Sequence, residues 1–425
     1  MNYQEAVEYI HHCSHVGGRA GMKRILPLTE KLGFPQRKLK FVHIAGSSGK
    51  GSTAAMTESV LRNAGFKTGL YMSPYVYDFR ERLQINGQLP DGQLIADALE
   101  SMIPALDEMK KEGRECTEFE VLTALAFTLF AREGCEWTAL EVGIGGGHDV
   151  TNVIDPPCVA AICNIGLDHT KLLGNTITEI ATEKCGIIKK GSRVSAYCDL
   201  PADAQKVLDA TCAGLGITPK IIRLGDISNL DVTQHGSSFD YKGQHYEVSM
   251  IGLHMVKNAL NVIGISEELA SSGINVTPEI AARGIKETKV VGRFEIVREK
   301  PLCVIDGAHN PDKTASVCET IDALYKDKRV ISVFGMQKKK DYRTSIPQIA
   351  KRSDVYIATL PHEVTEPVPA EESAKIAENY CPNVIICEDP EEAGRLARSM
   401  AGDDDLVVAC GSIYLAADAK RGMIR

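Results

Sequence analysis

The chain has 425 residues, 44% of them hydrophobic and 24% charged, which predicts a folded soluble protein of two or three domains. A formal net charge of −8 argues against an overall basic field for nucleic acid, and no apolar run approaches the roughly 18 residues of a membrane span. Thirteen cysteines are scattered singly with no CxxC pair, which reads as free thiols in a reducing cytoplasm, and the acidic, amphipathic start Met1-Asn2-Tyr3-Gln4-Glu5 is unlike a signal peptide.

In chain order, residues 4–12 and 21–32 read as helices. A strand over residues 41–45 enters the loop Gly46-Ser47-Ser48-Gly49-Lys50-Gly51-Ser52-Thr53, and a helix follows over 51–63. Strand, Gly-rich loop and helix in that order suit a nucleotide's phosphates. Glycines let backbone N–H groups face the anion, the helix N-terminus adds positive potential, Lys50 offsets charge, and Ser52 or Thr53 can ligate magnesium. The loop departs from the standard phosphate-loop spacing: Gly46 precedes Gly49 by three residues, and Gly51 separates Lys50 from Ser52.

A second strand is predicted over 68–72, then a polar irregular stretch over 73–90, then helices over 91–111 and 118–132. Residues 137–142 and 159–165 read as strands, 176–184 as a helix, 193–196 as a strand and 201–213 as a helix. Alternation over 238–248 around Lys242-Gly243 predicts a hairpin, and a helix follows over 255–271. Beyond a seam at residues 289–294, five short apolar strands start at residues 302, 330, 355, 384 and 406. Each is followed by a helical segment, which predicts a small parallel-sheet domain. The run Lys338-Lys339-Lys340 reads as a solvated loop.

Ligands of open αβ sheets bind at the carboxyl ends of strands. Applied strand by strand, that rule gathers the phosphate loop, Ser73, Glu141 and His169 at one edge of one sheet. Glu141 occupies the place of an acidic magnesium group. His169 taken alone reads as a hydrogen-bonded structural histidine. Asp149 reads equally as a cap for the turn that follows it. Lys184, at a helix C-terminus, reads as a structural lysine facing the helix dipole. In the second domain, Asp306 and His309 sit just past a strand in Asp306-Gly307-Ala308-His309-Asn310-Pro311. Asn310-Pro311 reads as a helix cap, and Asp306 as an acid for nucleotide hydroxyls.

These strings, ten of them in order from His43–Thr53 to Gly411–Leu415, resemble the folylpolyglutamate synthase/dihydrofolate synthase branch of the Mur ligase superfamily. The resemblance implies an N-terminal P-loop-type parallel-sheet ATPase domain with a folate or pterin pocket (1–292) and a smaller C-terminal Rossmann-like domain (293–425). It implies an ATP-dependent ligase adding L-glutamate to folate, or to dihydropteroate, through an acyl phosphate. ATP and Mg2+ are the implied cofactors, and a cytoplasmic monomer the implied state. Gly49, Lys50, Gly51, Ser52, Thr53, Asn258, Arg293, Asp306 and His309 are the implied ATP contacts. Ser73, Glu141 and His169 are the implied metal ligands. Phe119, Glu120 and Asp149 line the implied pterin side. Lys184 aligns with a carbamylated lysine, which would reverse its structural reading. Lys50, Lys184 and His169 are the implied catalytic groups. Atoms from both domains would then meet ATP, with closure about Gly292.

Several positions depart from the family strings: Ser47-Ser48 for Thr-Asn, Tyr75 for His, Gly147-His148 for Arg-Leu, Met255 for Gln, Lys339 for Asp, and Val290-Val291 for Trp-Pro. Two other readings compete. One is the same ligase chemistry on a cell-wall acceptor, disfavoured because only about 40 residues precede the loop where such ligases carry another domain. The other is a nucleotide-binding paralogue without ligase activity.

Overall fold

Seven strands build the sheet that carries the phosphate loop. They are β1 (Lys40–Ala45), β2 (Thr68–Tyr71), β3 (Leu83–Ile85), β4 (Trp137–Glu141), β5 (Val159–Ile162), β6 (Arg193–Ala196) and β7 (Lys220–Ile221), in the spatial order β3-β2-β4-β1-β5-β6-β7. This computed structural model describes residues 1–14, 21–362, 364 and 366–424. All neighbours in the sheet are parallel except β3, which runs antiparallel to β2. β1 and β4 are buried almost throughout, as apolar central strands of a parallel sheet must be.

Helices cover the faces: α1 (Tyr3–His12), α2 (Gly21–Lys31), α3 (Lys50–Asn63), α4 (Gly92–Lys111), α5 (Glu118–Arg132), α6 (Thr170–Leu173), α7 (Ile177–Cys185), α8 (Ala202–Leu215), α9 (Leu253–Ser271) and α10 (Pro278–Glu287). One core joins α1, α2, α4 and α5 to β1, β2 and β3 through Ile10, Leu28, Phe41, Tyr71, Leu83, Leu99 and Phe127. A second lies under α7 and α8 around Ile162, Ile180, Val194 and Leu208.

A three-stranded sheet, β10-β9-β8, is made by β8 (Ser228–Thr233), β9 (Gly236–Tyr241) and β10 (Gln244–Val248). Its tight hairpin turns at Lys242 and Gly243, both at positive φ (48° and 80°), as the expected Lys-Gly turn requires.

The last sheet has six strands in the order β11-β12-β16-β13-β14-β15: β11 (Glu295–Glu299), β12 (Leu302–Ile305), β13 (Val330–Phe334), β14 (Val355–Ala358), β15 (Val384–Ile386) and β16 (Leu406–Cys410). The five expected strands are parallel to their neighbours. The sixth, β11, pairs antiparallel on the β12 edge. Contacts divide the chain into two compact units. The first is Met1–Asn229, Phe239–Glu247 and Lys257–Thr288; the second is Leu230–Ser238, Val248–Val256 and Lys289–Arg425.

The sequence reading missed β3, β7, β8, β11, α6 and α10. β3 and β11 are partly exposed edge strands, where polar residues interrupt the apolar run that marks a central strand.

Candidate active site

The phosphate loop leaves β1 and enters α3 through Gly49, whose left-handed backbone (φ 84°) a side chain would strain. A Cβ on Gly49 would also lie 2.5 Å from Asn258 Oδ1, so α9 places Asn258 against the loop. The first turn of α3 holds no acid, which leaves its N–H groups and dipole available to an anion. Ser47 anchors the loop from below. Its hydroxyl donates to the Gly166 carbonyl (2.7 Å) and accepts from Gly166 N (3.1 Å), and its own N–H donates to Asn164 O (2.8 Å). The family's threonine hydroxyl is thus replaced by another hydroxyl that fixes the loop to the segment after β5.

Because β2, β4, β1 and β5 are parallel neighbours, the residues after them emerge at one edge. Glu141 ends β4, is buried, and accepts a 3.0 Å hydrogen bond from Ser73 N through Oε2. Its Oε1 stands 3.8 Å from Lys50 Nζ. A Cβ on Gly51 would be 3.5 Å from Glu141 Oε2, an ordinary contact distance, so the first turn of α3 lies directly beside the acid. Ser52 is buried in the same turn. Thr53 is fully buried, where the Cys163 thiol donates to its hydroxyl at 3.4 Å.

His169 follows β5 at positive φ (52°) and heads α6. Asp168 beside it is buried; its Oδ1 accepts from His169 N at 2.8 Å and lies 3.9 Å from His169 Nε2.

Lys184 is buried and its Nζ donates to the Gly46 carbonyl at 2.9 Å. This corrects the reading of a lysine facing its own helix dipole: the side chain reaches the first residue of the phosphate loop. Burial, and then the charge of Lys50, push its pKa down to about 7.

The residues expected on the pterin side are held differently. Asp149 is buried and caps the short turn after it. Oδ1 accepts from Thr151 N (2.9 Å) and the Thr151 hydroxyl (2.5 Å), and Oδ2 from Ile144 N (2.9 Å). Burial raises its pKa against those hydrogen bonds. Phe119 lies tilted against Tyr71, with ring centroids 6.2 Å apart, and fills the space a Cβ on Gly143 would need. Glu120 is buried and closes the N-terminal cap of α5, accepting from Thr117 N (2.9 Å). It also pairs with Arg24, which donates through Nε at 3.0 and 2.8 Å. Nothing in the sequence marked Arg24, since its partner lies 96 residues away.

At the departure Gly147-His148, Gly147 approaches Gly186 so closely that a Cβ on Gly186 would sit 2.5 Å from Gly147 Cα. His148 Nδ1 lies 2.9 Å from Glu183 Oε1.

In the second unit, Asp306 is buried and ties two segments together: Oδ2 accepts from Phe294 N and Oδ1 from Ala308 N, both at 2.7 Å. Gly307 N donates to Gly292 O (2.9 Å), as does Arg293 Nη1 (3.0 Å). His309 Nδ1 lies 2.8 Å from Gly307 O, and Lys313 Nζ 3.0 Å from His309 Nε2. Asn310 caps the helix Pro311–Leu324, as expected. The chain therefore brings Arg293, Asp306 and His309 together in one unit, and Lys50, Ser73, Glu141, Asn258 and Lys184 in the other.

A magnesium ion prefers hard oxygen donors and retains water and phosphate ligands. The Glu141 carboxylate, anchored by Ser73 N, with the Ser73 hydroxyl and the phosphates of a nucleotide, meets that preference; His169 adds an imidazole nearby in the topology. Among the described residues no three His, Cys, Asp or Glu side chains cluster as a metal site, and this set contains only two such residues. No helix among the described residues is long and apolar enough to cross a membrane.

Two family models match the chain. Residues 44–266 match the Mur ligase middle domain, and residues 292–413 the Mur ligase glutamate ligase domain. A Bacillus subtilis dihydrofolate synthase/folylpolyglutamate synthase is 32% identical, over 99% of this chain and 98% of the relative. A Lacticaseibacillus casei folylpolyglutamate synthase is 34% identical, over 85% of this chain and 86% of the relative. A structure of E. coli FolC in complex with DHPP and ADP superposes with a TM-score of 0.85 at 26% identity, over 98% of this chain and 96% of that one. The phosphate loop, the strand-end acid beside it and these full-length matches together make the chain a member of the Mur ligase family, in its folylpolyglutamate synthase/dihydrofolate synthase branch.

Proposed function

We propose that this protein is an ATP-dependent ligase that joins L-glutamate to a folate, to dihydropteroate, or to both, through an acyl phosphate. The observation that carries the reading is the meeting of Lys50, Glu141 and Ser73 beside the phosphate loop, with Lys184 bonded to Gly46.

The chemistry suits that arrangement. A carboxylate is a poor electrophile, so one of its oxygens first attacks the γ-phosphorus of ATP, and ADP leaves. The neutral amine of glutamate then attacks the acyl carbon; phosphate leaves and the nitrogen loses a proton as the amide forms. The α3 N-terminus, the loop N–H groups and Lys50 hold the phosphates and offset the charge that spreads over the transferring group. Glu141, Ser73 and His169 are the residues that would hold magnesium, which supplies charge neutralisation on the phosphate oxygens.

Lys184 is placed to shape the loop through Gly46. Its lowered pKa leaves much of the amine uncharged near neutrality, which is the form that takes up carbon dioxide, so carbamylation is part of this reading. Asn258, Arg293, Asp306 and His309 are retained as nucleotide contacts, and Phe119, Glu120 and Asp149 as the acceptor side. Residues 1–292 form the ATP-binding part and 293–425 the glutamate ligase part of a cytoplasmic monomer.

The test is ADP release with ATP and glutamate held fixed and the acceptor varied among dihydropteroate, tetrahydrofolate and a cell-wall precursor. Release with either pteridine and not with the precursor is expected. Release with the precursor alone would move the protein to another Mur-type acceptor, and binding of ATP without any acceptor-dependent release would make it a paralogue without ligase activity.

A further inference from the structure

The turn Phe79–Arg82 carries two arginines that are treated oppositely. Arg80 is engaged by Asp78: Nε lies 3.0 and 3.1 Å from the two carboxylate oxygens, and Nη2 2.7 Å from Oδ2. Arg82 is half-buried, and its Nε is buried with no hydrogen-bond partner among the described residues. Its guanidinium lies over two rings instead, 5.1 Å from the centroid of Tyr75 and 5.7 Å from that of Phe79. Those rings meet edge to face, with centroids 6.0 Å apart and planes at 64°.

The local acids are all committed elsewhere. Asp78 holds Arg80, and Glu81 accepts from the N–H groups of Val76, Tyr77 and Asp78 at 2.7, 2.9 and 3.0 Å. Among the described residues no carboxylate forms an ion pair with Arg82. A guanidinium has five donors in a fork that matches a carboxylate, and a buried donor without a partner is costly. The two rings therefore fix the orientation of a cation that has no counter-ion among the described residues.

Position decides which anion. Arg82 O accepts from Met72 N at 3.2 Å, so Arg82 stands opposite the residue that precedes Ser73. Its charge is felt at the phenol of Tyr71, whose ring neighbours Phe119. The phosphate loop follows β1, three strand steps from β3 in the order β3-β2-β4-β1. At about 4.8 Å per step, β1 and β3 are about 14 Å apart. The ATP phosphates belong to the far strand and the aromatic row to the near one.

We propose that Arg82 binds a carboxylate of the acceptor other than the one that reacts. This rests on the ligase reading above. It gives the site a chemical preference: a folyl glutamate keeps its α-carboxylate while another is activated, whereas dihydropteroate has a single carboxylate, the reacting one. Arg82 is thus a specificity-determining residue for glutamylated acceptors. Tyr75, which stands where the family has histidine, supplies one of the rings that hold it.

The test measures KM for tetrahydrofolyl-monoglutamate, dihydropteroate and ATP in the wild type, Arg82→Ala and Arg82→Lys, with titration calorimetry of the folyl glutamate alone. Arg82→Ala is expected to raise KM for the folyl glutamate about 10- to 100-fold and weaken its binding alike. KM for ATP and for dihydropteroate should stay within about twofold, and Arg82→Lys, which keeps the charge, should recover part of the loss. If Arg82→Ala melts early, Arg82→Lys against the wild type gives the same comparison. Equal loss with both acceptors, a change in KM for ATP, an unchanged folyl glutamate, or a wild type that uses dihydropteroate only would overturn the assignment alone. A wild type that releases ADP with neither acceptor would overturn the ligase reading and this assignment with it.

Discussion

Lys184 Nζ donates to the Gly46 carbonyl at 2.9 Å, so the last turn of α7 grips the first residue of the phosphate loop. The contact links a buried amine to the backbone of the loop proposed to hold a nucleotide, and it sets up a pH dependence with a definite sign.

The folded-state pKa of Lys184 is pushed down to about 7 from 10.5. Between those values the unfolded chain binds the extra proton, so in bicarbonate-free buffer this group makes stability rise with pH across about 7 to 10.5. Urea melts should show that slope in the wild type and lose it in Lys184→Met. With 13C-bicarbonate, a carbamate resonance is expected at pH 8 that fades as the amine protonates below about pH 7 and is missing from Lys184→Arg. Lys184→Ala should lose activity and partly regain it with short carboxylic acids. A wild-type spectrum with no resonance that depends on Lys184 would exclude carbamylation.

Lys50→Ala removes the cation 3.8 Å from Glu141 and is expected to lower acceptor-dependent ADP release by about 100- to 1,000-fold. Glu141→Gln keeps the side chain's size and an acceptor for Ser73 N but removes the charge. It should cost a similar factor and shift the magnesium dependence to higher concentration. Steady-state assays across a magnesium series decide this; wild-type turnover in either variant would remove the phosphate and metal roles.

Gly49→Ala combines an unfavourable left-handed backbone with a Cβ 2.5 Å from Asn258 Oδ1. The expected result is a KM for ATP raised about tenfold or more, with thermal stability lowered by about 1–2 kcal/mol. If nucleotide titrations gave equal affinities for the variant and the wild type, Gly49 and Asn258 would not form part of the ATP site.

Glu120→Ala strips a buried carboxylate of its contacts with Arg24 and Thr117 N. Leaving Arg24 without its counter-ion should destabilise the protein by about 3 kcal/mol, read from urea unfolding. Glu120→Gln, which keeps the cap, should recover less than half of that loss. Wild-type stability in Glu120→Ala, with only KM for the acceptor changed, would give this carboxylate a purely ligand-binding role.

Much of this protein was legible from its chain. The strand, Gly-rich loop and helix around Lys50 stand where an apolar run, glycines and a helix former in that order predict them. Ser73 and Glu141 followed from one rule about strand ends, since parallel neighbours deliver their following residues to a common edge. The hairpin at Lys242-Gly243 and the cap at Asn310 were local signals and stand in the structure. Tertiary structure alone decided what Lys184 touches, because Gly46 lies 138 residues away. A helix-end lysine looks the same in sequence whether it meets water or a buried carbonyl. Likewise only the fold could join Glu120 to Arg24, or leave Arg82 between two rings while Asp78 and Glu81 turn elsewhere. Local propensity and periodicity act over a few residues, whereas burial and ion pairing depend on which distant segments the packed sheet brings within a few ångströms.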